Sequence, residues 1–219
     1  MSRFHKATKY DVNMIAMLMA SSFAEYPFVD FFLKDAFRSE NVRARFLQKV
    51  SKILIKTLLR KGICFFEKND GEVRAFCILS TIKDMQPTVW DMVTSGVIRL
   101  VPKMFNKAVR QFIVFYLRDA ANVNFQNDPN IWYVHLFAVS PNHRGKQLGS
   151  MMMNSCIIPY VKEQQGNRIL LSTNTEMAMR FYTNNSFEPI SHDEISYRGQ
   201  RFEKWDLAKN LTIGEEIKP

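Results

Sequence analysis

The stretch Ile131–Ser150, IWYVHLFAVSPNHRGKQLGS, decides how the chain is read. Ile131, Trp132, Tyr133, Val134, Leu136, Phe137 and Val139 are β-branched, aromatic or aliphatic, and Pro141 ends the run, so its first half reads as a strand. The apolar run is nearly continuous, as expected of a strand covered on both faces. A short polar loop follows, Asn142 to Gln147. Leu148 to Val161 then reads as a helix, with Leu148, Met151, Met152, Ser155 and Ile158 near one stripe. A strand, a basic glycine-containing loop and a helix start suit phosphate, because the first helical N–H groups lack partners and lie at the positive end of the dipole. Gly145 and Gly149 carry no side chain, so an anion can approach the backbone there.

Downstream, Arg168 to Thr173 reads as a strand, Asn174 to Asn185 as a short helix, and Phe187–Tyr197 with Gln200–Leu207 as a hairpin around Arg198-Gly199. The polar tail Lys209–Pro219 is expected to fray. Upstream, Arg3–Ala7 reads as a short strand. Thr8-x-x-Asp11 reads as a capping box opening a helix through Ser22. The aromatic segment Glu25–Leu33, EYPFVDFFL, fits either core packing by a second short helix or a pocket wall. Ser39–Arg60 is the clearest helix, with Val42, Phe46, Leu47, Val50, Ile53, Leu54 and Leu58 on one stripe and Gly62 as the stop. Arg43, Arg45, Lys49, Lys52 and Lys56 lie mostly off that stripe and read as a solvated face. Ile63–Glu67 and Val73–Ile82 flank the turn Asn69-Asp70-Gly71 as a hairpin. Met85–Asn122 reads as helical with a break near Pro102, long enough for a connection between strands to cap a site. Asn122–Pro129 is polar and turn-rich.

This order predicts one α/β domain over residues 1–219 with a mixed sheet. The chain has 219 residues, 47% hydrophobic and 23% charged, with 18 Phe, which is globular composition. The net charge of +9 admits a nucleic acid, an anionic surface or a polyanionic cofactor. The basic residues are spread without a long run, which disfavours a nucleic-acid tail. Cys64, Cys77 and Cys156 have no C-x-x-C spacing and suit a reducing compartment. The apolar run Met14–Ala20 is too short to span a membrane, and Asp11 and Asn13 make it an amphipathic helix rather than a signal core. The expectation is a cytoplasmic protein with no membrane partner and no metal site.

Two stretches resemble one family. AVSPNHRGKQLGSMMM is similar to the acyl-CoA-binding motif of the GNAT superfamily of acyl-CoA-dependent N-acyltransferases, R/Q-x-x-G-x-G/A after a strand ending in valine. Arg144, Gly145, Lys146, Leu148 and Gly149 fit it, and Gln147 replaces its first glycine. LLSTNTEMAMRFYTNNSFEP resembles the family's later pattern of strand, asparagine, and a helix ending in tyrosine before a small residue and phenylalanine, with Asn174, Ala178, Tyr182 and Phe187 in those places and Ser186 where glycine is usual. The resemblance implies the GNAT fold, with α and β elements in layers and a mixed, mostly antiparallel central sheet flanked by helices. In that fold about 85–122 is a helical insertion before the central strand and about 131–187 the CoA-binding core, with acetyl-CoA as co-substrate. It implies that the backbone of Phe137, Ala138 and Val139 pairs with the pantetheine arm. The N–H groups of Gly145, Lys146, Gln147, Leu148, Gly149 and Ser150 would hold the pyrophosphate, and Asn174 would bond the pantetheine. Arg144 and Lys146 would add charge.

Acyl transfer to an amine moves two protons: an alkylammonium of pKa about 10.4 must lose one, and the leaving thiolate must be stabilised or protonated. Tyr182 is the candidate acid, since the family places a tyrosine there. His135 is the base-type side chain within the central strand. Some family members, arylalkylamine acetyltransferases among them, carry histidine at the corresponding position; Glu25, Asp30 and Glu67 are alternatives. The expectation is direct N-acetyl transfer from acetyl-CoA to a primary amine of a small molecule or a peptide. A nucleic-acid-binding or regulatory module on the same scaffold, without turnover, is the competing reading. The acceptor, the acyl chain preference and the oligomeric state, a homodimer included, stay open.

Overall fold

The computed structural model describes residues 3–121, 128–197 and 199–211. The readings placed on Arg198, on most of the Asn122–Pro129 turn and on the tail beyond Leu211 lie outside the described residues.

Seven strands form one sheet in the order β1-β2-β3-β4-β5-β7-β6. These are β1 (His5–Lys6), β2 (Ile63–Asn69), β3 (Glu72–Thr81), β4 (Ile131–Val139), β5 (Arg168–Thr173), β6 (Glu188–Tyr197) and β7 (Gln200–Asn210). Only β4 and β5 run parallel; every other pairing is antiparallel. The sheet is therefore mixed, as the element order predicts, and mostly antiparallel, as the family resemblance implies. The single parallel pair needs a long crossover, supplied by α6 (Leu148–Met152), a π-helical turn (Met153–Ile157) and α7 (Ile158–Glu163). These run on as one helical segment. Pro159 has no N–H and its ring crowds the preceding turn, and the wider turn just before it accommodates both.

Each face of the sheet has its own core. One holds Trp132, Val134, Leu148, Met152, Ile157, Val161, Leu171, Tyr182 and Phe187, beneath α6, α7 and α8 (Glu176–Asn184). The other holds Ile15, Leu18, Ile55, Leu58, Phe76, Ile78 and Ala138, beneath α1 (Val12–Phe23) and α3 (Glu40–Leu58). Burial of each such side chain contributes about 1.5–3 kcal/mol. A third cluster joins α2 (Pro27–Leu33), α3 and α5 (Lys107–Ala121), where Phe28 stacks on Phe112 with centroids 5.1 Å apart. The aromatic segment is thus mostly core, although Phe31 reaches Phe202 on β7 at 5.3 Å.

Three readings are corrected: the first cap, Arg43 and the helical break. The first helix begins at Val12. Thr8 N–H and its hydroxyl donate to the Asp11 carboxylate at 2.8 and 2.7 Å, but Asp11 is the last residue before the helix, so the bonds close a turn rather than a capping box. A true box opens α4 (Val89–Ser95): Asp91 N–H donates to Thr88 Oγ1 at 3.2 Å and Thr88 N–H to the Asp91 carboxylate at 2.9 Å. Arg43 is not solvated. It is 6% exposed, donates to Ala24 O at 2.6 Å and Asp30 Oδ1 at 2.9 Å, and fastens α2 to α3. Among the described residues the insertion packs on α2 and α3. Met85 and Pro87 at its start, with Asp84 just before it, line the recess that also holds His135. The insertion's break comes earlier than Pro102, at Gly96, with a 3₁₀ helix over Val97–Phe105.

Among the described residues no single helix is long and apolar enough to cross a membrane; α1 and α2 reach that length only together, bent by 84°.

Candidate active site

The strand β4 leaves β5 halfway along its length. Pairing covers Ile131–Val134 against Arg168–Leu171 and stops there, while β3 stays paired to β4 as far as Val139. A bulge lies at the same point. The register with β3 shifts between Ile78 and Leu79, which face Leu136 and Val134, leaving His135 as the extra residue. A bulge bends its strand, so the opening between β4 and β5 begins where the sequence places its histidine.

Beyond the bulge, alternate residues of β4 bond to β3. Ser140 N–H donates to Arg74 O at 2.8 Å, so by alternation Leu136 and Ala138 turn their backbone groups to β3. Phe137 and Val139 turn theirs to the opening. Of the three residues expected to pair with a ligand arm, Ala138 is therefore already committed.

The loop after β4 ends at the start of α6. Among the described residues the backbone N–H groups of Gly145, Lys146, Gln147, Leu148, Gly149 and Ser150 take no protein acceptor; Met151 N–H is the first in the helix to do so, bonding Gln147 O at 2.9 Å. Gly145 has φ +73°, and Gln147 has φ 58° and ψ 7°, so both are left-handed. The position where the motif has glycine does use a glycine conformation; Gln147 adopts it at a cost. A Cβ on Gly149 would meet the Phe181 ring at 3.0 Å, so this glycine lets α6 pack on α8. Phe181 in turn stacks on Phe137, centroids 5.4 Å apart. The exposed side chains of Arg144 and Lys146 bend back to Val139 O at 3.4 Å and Asn142 O at 3.2 Å. Ser150 Oγ accepts from Asn185 Nδ2 at 3.1 Å. Asn185 also donates to Phe181 O, which fastens the end of α8 to α6. Nothing in the sequence pointed to this residue.

Asn174 lies in the turn from β5 to α8. Its Nδ2 donates to Glu203 O at 2.9 Å, and its N–H donates to the phenol of Tyr26 at 2.9 Å. Tyr26, at the start of α2, is a second residue the sequence did not single out. Tyr182 lies in the last turn of α8, is 7% exposed, and packs among Phe137, Phe181 and Phe187. Burial first, then Cys77, Tyr26 and Tyr133, push its pKa well up, so the hydroxyl keeps its proton. Such a group can donate to a developing thiolate.

His135 points to the opposite face from the Tyr182 core. It is half-buried, at the floor of a recess lined by Thr57, Leu58, Lys61, Asp84, Met85 and Pro87. Ser80 Oγ is 2.9 Å from its Nε2. Ser80 donates its one hydroxyl proton to Thr81 O at 2.9 Å, so Nε2 carries the hydrogen and Nδ1 keeps a lone pair. Burial lowers its pKa to about 4. An alkylammonium lies about six pK units above that, a gap of about 9 kcal/mol, so His135 cannot strip such a cation before attack. Among the alternative bases, Glu67 is clamped by Arg74 and by Arg3 at 3.1 Å. Burial works to raise its pKa, but those hydrogen bonds outweigh it and hold the carboxyl low. Asp30 is paired to Arg43. Burial pushes the Cys64 and Cys77 thiols up and Cys156 to about 11, so no thiolate nucleophile forms at neutral pH. Among the described residues no group of three or more His, Cys, Asp or Glu could hold a metal.

A model of the acetyltransferase (GNAT) family matches residues 28–187, which contain the first motif stretch, the second as far as Phe187, and the whole β4–β5 opening. No curated protein matches. Solved structures share the fold at low identity. A protein from Corynebacterium glutamicum named histone acetyltransferase HPA2 and related acetyltransferase is 16% identical with a TM-score of 0.60, over 97% of this chain and 98% of that one. A probable acetyltransferase from Staphylococcus epidermidis is 15% identical with a TM-score of 0.56, over 97% and 100%. The ribosomal-protein-S18-alanine N-acetyltransferase of Escherichia coli is 10% identical with a TM-score of 0.55, over 99% and 97%.

Proposed function

The chain belongs to the acetyltransferase (GNAT) family, and from that premise we propose that it transfers the acetyl group of acetyl-CoA directly to a primary amine bound beside it. The observation that carries this reading is the opening of β4 from β5 next to six consecutive unpartnered backbone amides. The amides of Gly145–Ser150 suit a pyrophosphate, and the outward backbone groups of Phe137 and Val139 suit the amides of a pantetheine arm. Acetyl-CoA would supply a thioester activated for attack. Tyr182 then holds a proton, at the apolar end of α8, for the departing sulfur. Asn174 and Tyr26 brace the far wall of the opening. His135 accepts a proton only as bond formation acidifies the attacking nitrogen, so the amine must enter the step already neutral. Direct transfer agrees with the suppressed thiols.

Acetyl-CoA is expected to raise the melting temperature, because a ligand bound only by the native state stabilises it by mass action. Gly149→Glu should abolish the shift by adding a negative charge beside the amides. Gly149→Ala is its control, because it meets Phe181 in the same way without the charge. Silence of the unmodified protein at millimolar acetyl-CoA, in both the melting assay and calorimetric titration, would end the CoA assignment.

A further inference from the structure

On the sheet face away from α6 and α8, a polar row crosses five adjacent strands at the level of the opening. Asp206 on β7 lies directly opposite Ser172 on β5 and Ser191 on β6. Ser172 donates to Asp206 Oδ1, and Ser191 donates to Oδ2 at 2.9 Å. The Tyr133 hydroxyl on β4 donates to Ser172 Oγ at 3.1 Å. His135, its ring centroid 5.3 Å from that of Tyr133, continues the row to Ser80 on β3. Ser172 is the first residue of β5 beyond its pairing with β4, so the row passes the mouth of the opening. Asp206 is half-buried and takes part in none of the described ion pairs. The next residue on that side of β7, Lys204, is buried. Phe31 from α2 meets Phe202 further along β7 and narrows that end of the row.

We propose that Asp206 is the acceptor-recognition residue, and that the acceptor is an alkyl diamine or polyamine whose second, non-reacting ammonium sits on this carboxylate. The inference rests on the acetyltransferase reading above and adds the substrate class. A carboxylate placed on the reacting nitrogen would stabilise its ammonium form and oppose attack, because a nearby opposite charge favours the charged state. A carboxylate a few atoms away avoids that conflict and binds a cation that stays charged throughout. Two donated hydroxyls fix the carboxylate in place and leave its remaining lone pairs for an ammonium.

The test compares 1,4-diaminobutane with n-butylamine as acceptors, following thiol release from acetyl-CoA. The unmodified protein is expected to favour the diamine in kcat/KM by tenfold or more. Asp206→Asn keeps the shape and an acceptor oxygen for the serines but removes the charge. It is expected to lower the diamine-to-monoamine ratio at least tenfold, chiefly through the KM for the diamine. Ser172→Ala, which frees the carboxylate to swing, is expected to lower the ratio less. Equal use of the two amines by the unmodified protein overturns the proposal without needing any variant to fold. So does an Asp206→Asn variant that loses both acceptors in proportion, since Asp206 would then serve the reaction and not the second cation. A normal acetyl-CoA melting shift in either case shows that only the acceptor assignment has failed; its absence in the unmodified protein defeats the underlying reading instead.

Discussion

On the α6 and α8 side of the β4–β5 opening, the site is made of backbone: unpartnered amides, outward strand groups and one glycine that lets Phe181 close on α6. On the opposite side, the proposed acceptor half is made of side chains gathered from five strands and from α2, held by hydroxyl and carboxylate bonds across 39 and 34 residues of sequence. The first kind of site depends on local conformation and tolerates any side chain that can adopt it. The second depends on tertiary placement and changes meaning with each residue. A substitution in the first half therefore acts through conformation, and one in the second through the identity of the side chain.

The largest expected effect tests whether Tyr182 belongs to the chemical half or merely to the core that surrounds it. Tyr182→Phe keeps the ring among Phe137, Phe181 and Phe187 and removes only the hydroxyl. Loss of a positioned acid lowers turnover by about 10²–10⁴-fold, or roughly 3–5 kcal/mol of barrier. The expected result is a strongly reduced kcat with a nearly unchanged acetyl-CoA dissociation constant. A kcat within threefold of the parent, with chemistry rate-limiting, removes Tyr182 from the mechanism.

A smaller effect should separate the two halves. Arg43 braces α2 through Ala24 O and Asp30. Arg43→Met keeps much of the apolar stem and loses those bonds, which is expected to cost about 2–3 kcal/mol by urea denaturation. Because α2 carries Tyr26 and Phe31, acceptor KM should rise while the acetyl-CoA melting shift persists. A cost below about 0.5 kcal/mol would mean that Arg43 behaves as the solvated residue its position on the helical wheel suggests.

The legibility of the molecule follows the same division. The strand at Ile131–Val139, the loop and the helix after it were readable because each is set within one short window by apolar pattern, glycine and proline. Tyr182, in the last turn of α8, was legible only through the family resemblance. The hairpin at Asn69-Asp70-Gly71 was readable for the same reason: Asp70 and Gly71 both take positive φ. Arg43 was misread because periodicity reports distance from a stripe, not whether α2 packs over that flank. The bulge at His135 leaves no local signal, since it exists only in the register with β3. Thr8-x-x-Asp11 and Thr88-x-x-Asp91 are the same pattern with different outcomes, because Thr88 enters α4 directly while a turn follows Thr8. Tyr26, Ser172, Asn185 and Asp206 acquire roles only through partners far away in the chain.

The smallest expected effect asks whether the motif half is governed by backbone alone. Gln147 is exposed, yet it holds φ 58° and ψ 7°, which costs a residue with a Cβ about 1–2 kcal/mol. Glycine removes that cost but returns about 0.5–1 kcal/mol through the greater freedom of the unfolded chain. Gln147→Gly is therefore expected to stabilise the protein by about 0.5–1 kcal/mol. It should leave the acetyl-CoA dissociation constant within about twofold, since the amide at 147 already has the required orientation. Gln147→Ala is the matching control. It deletes the side chain while keeping the left-handed penalty, so its stability should stay near that of the parent. If alanine and glycine stabilise equally, the gain comes from losing the glutamine side chain. If both destabilise, that side chain makes a contact worth more than the strain, and the rule that this half reads only conformation fails at the one position where the chain departs from the motif.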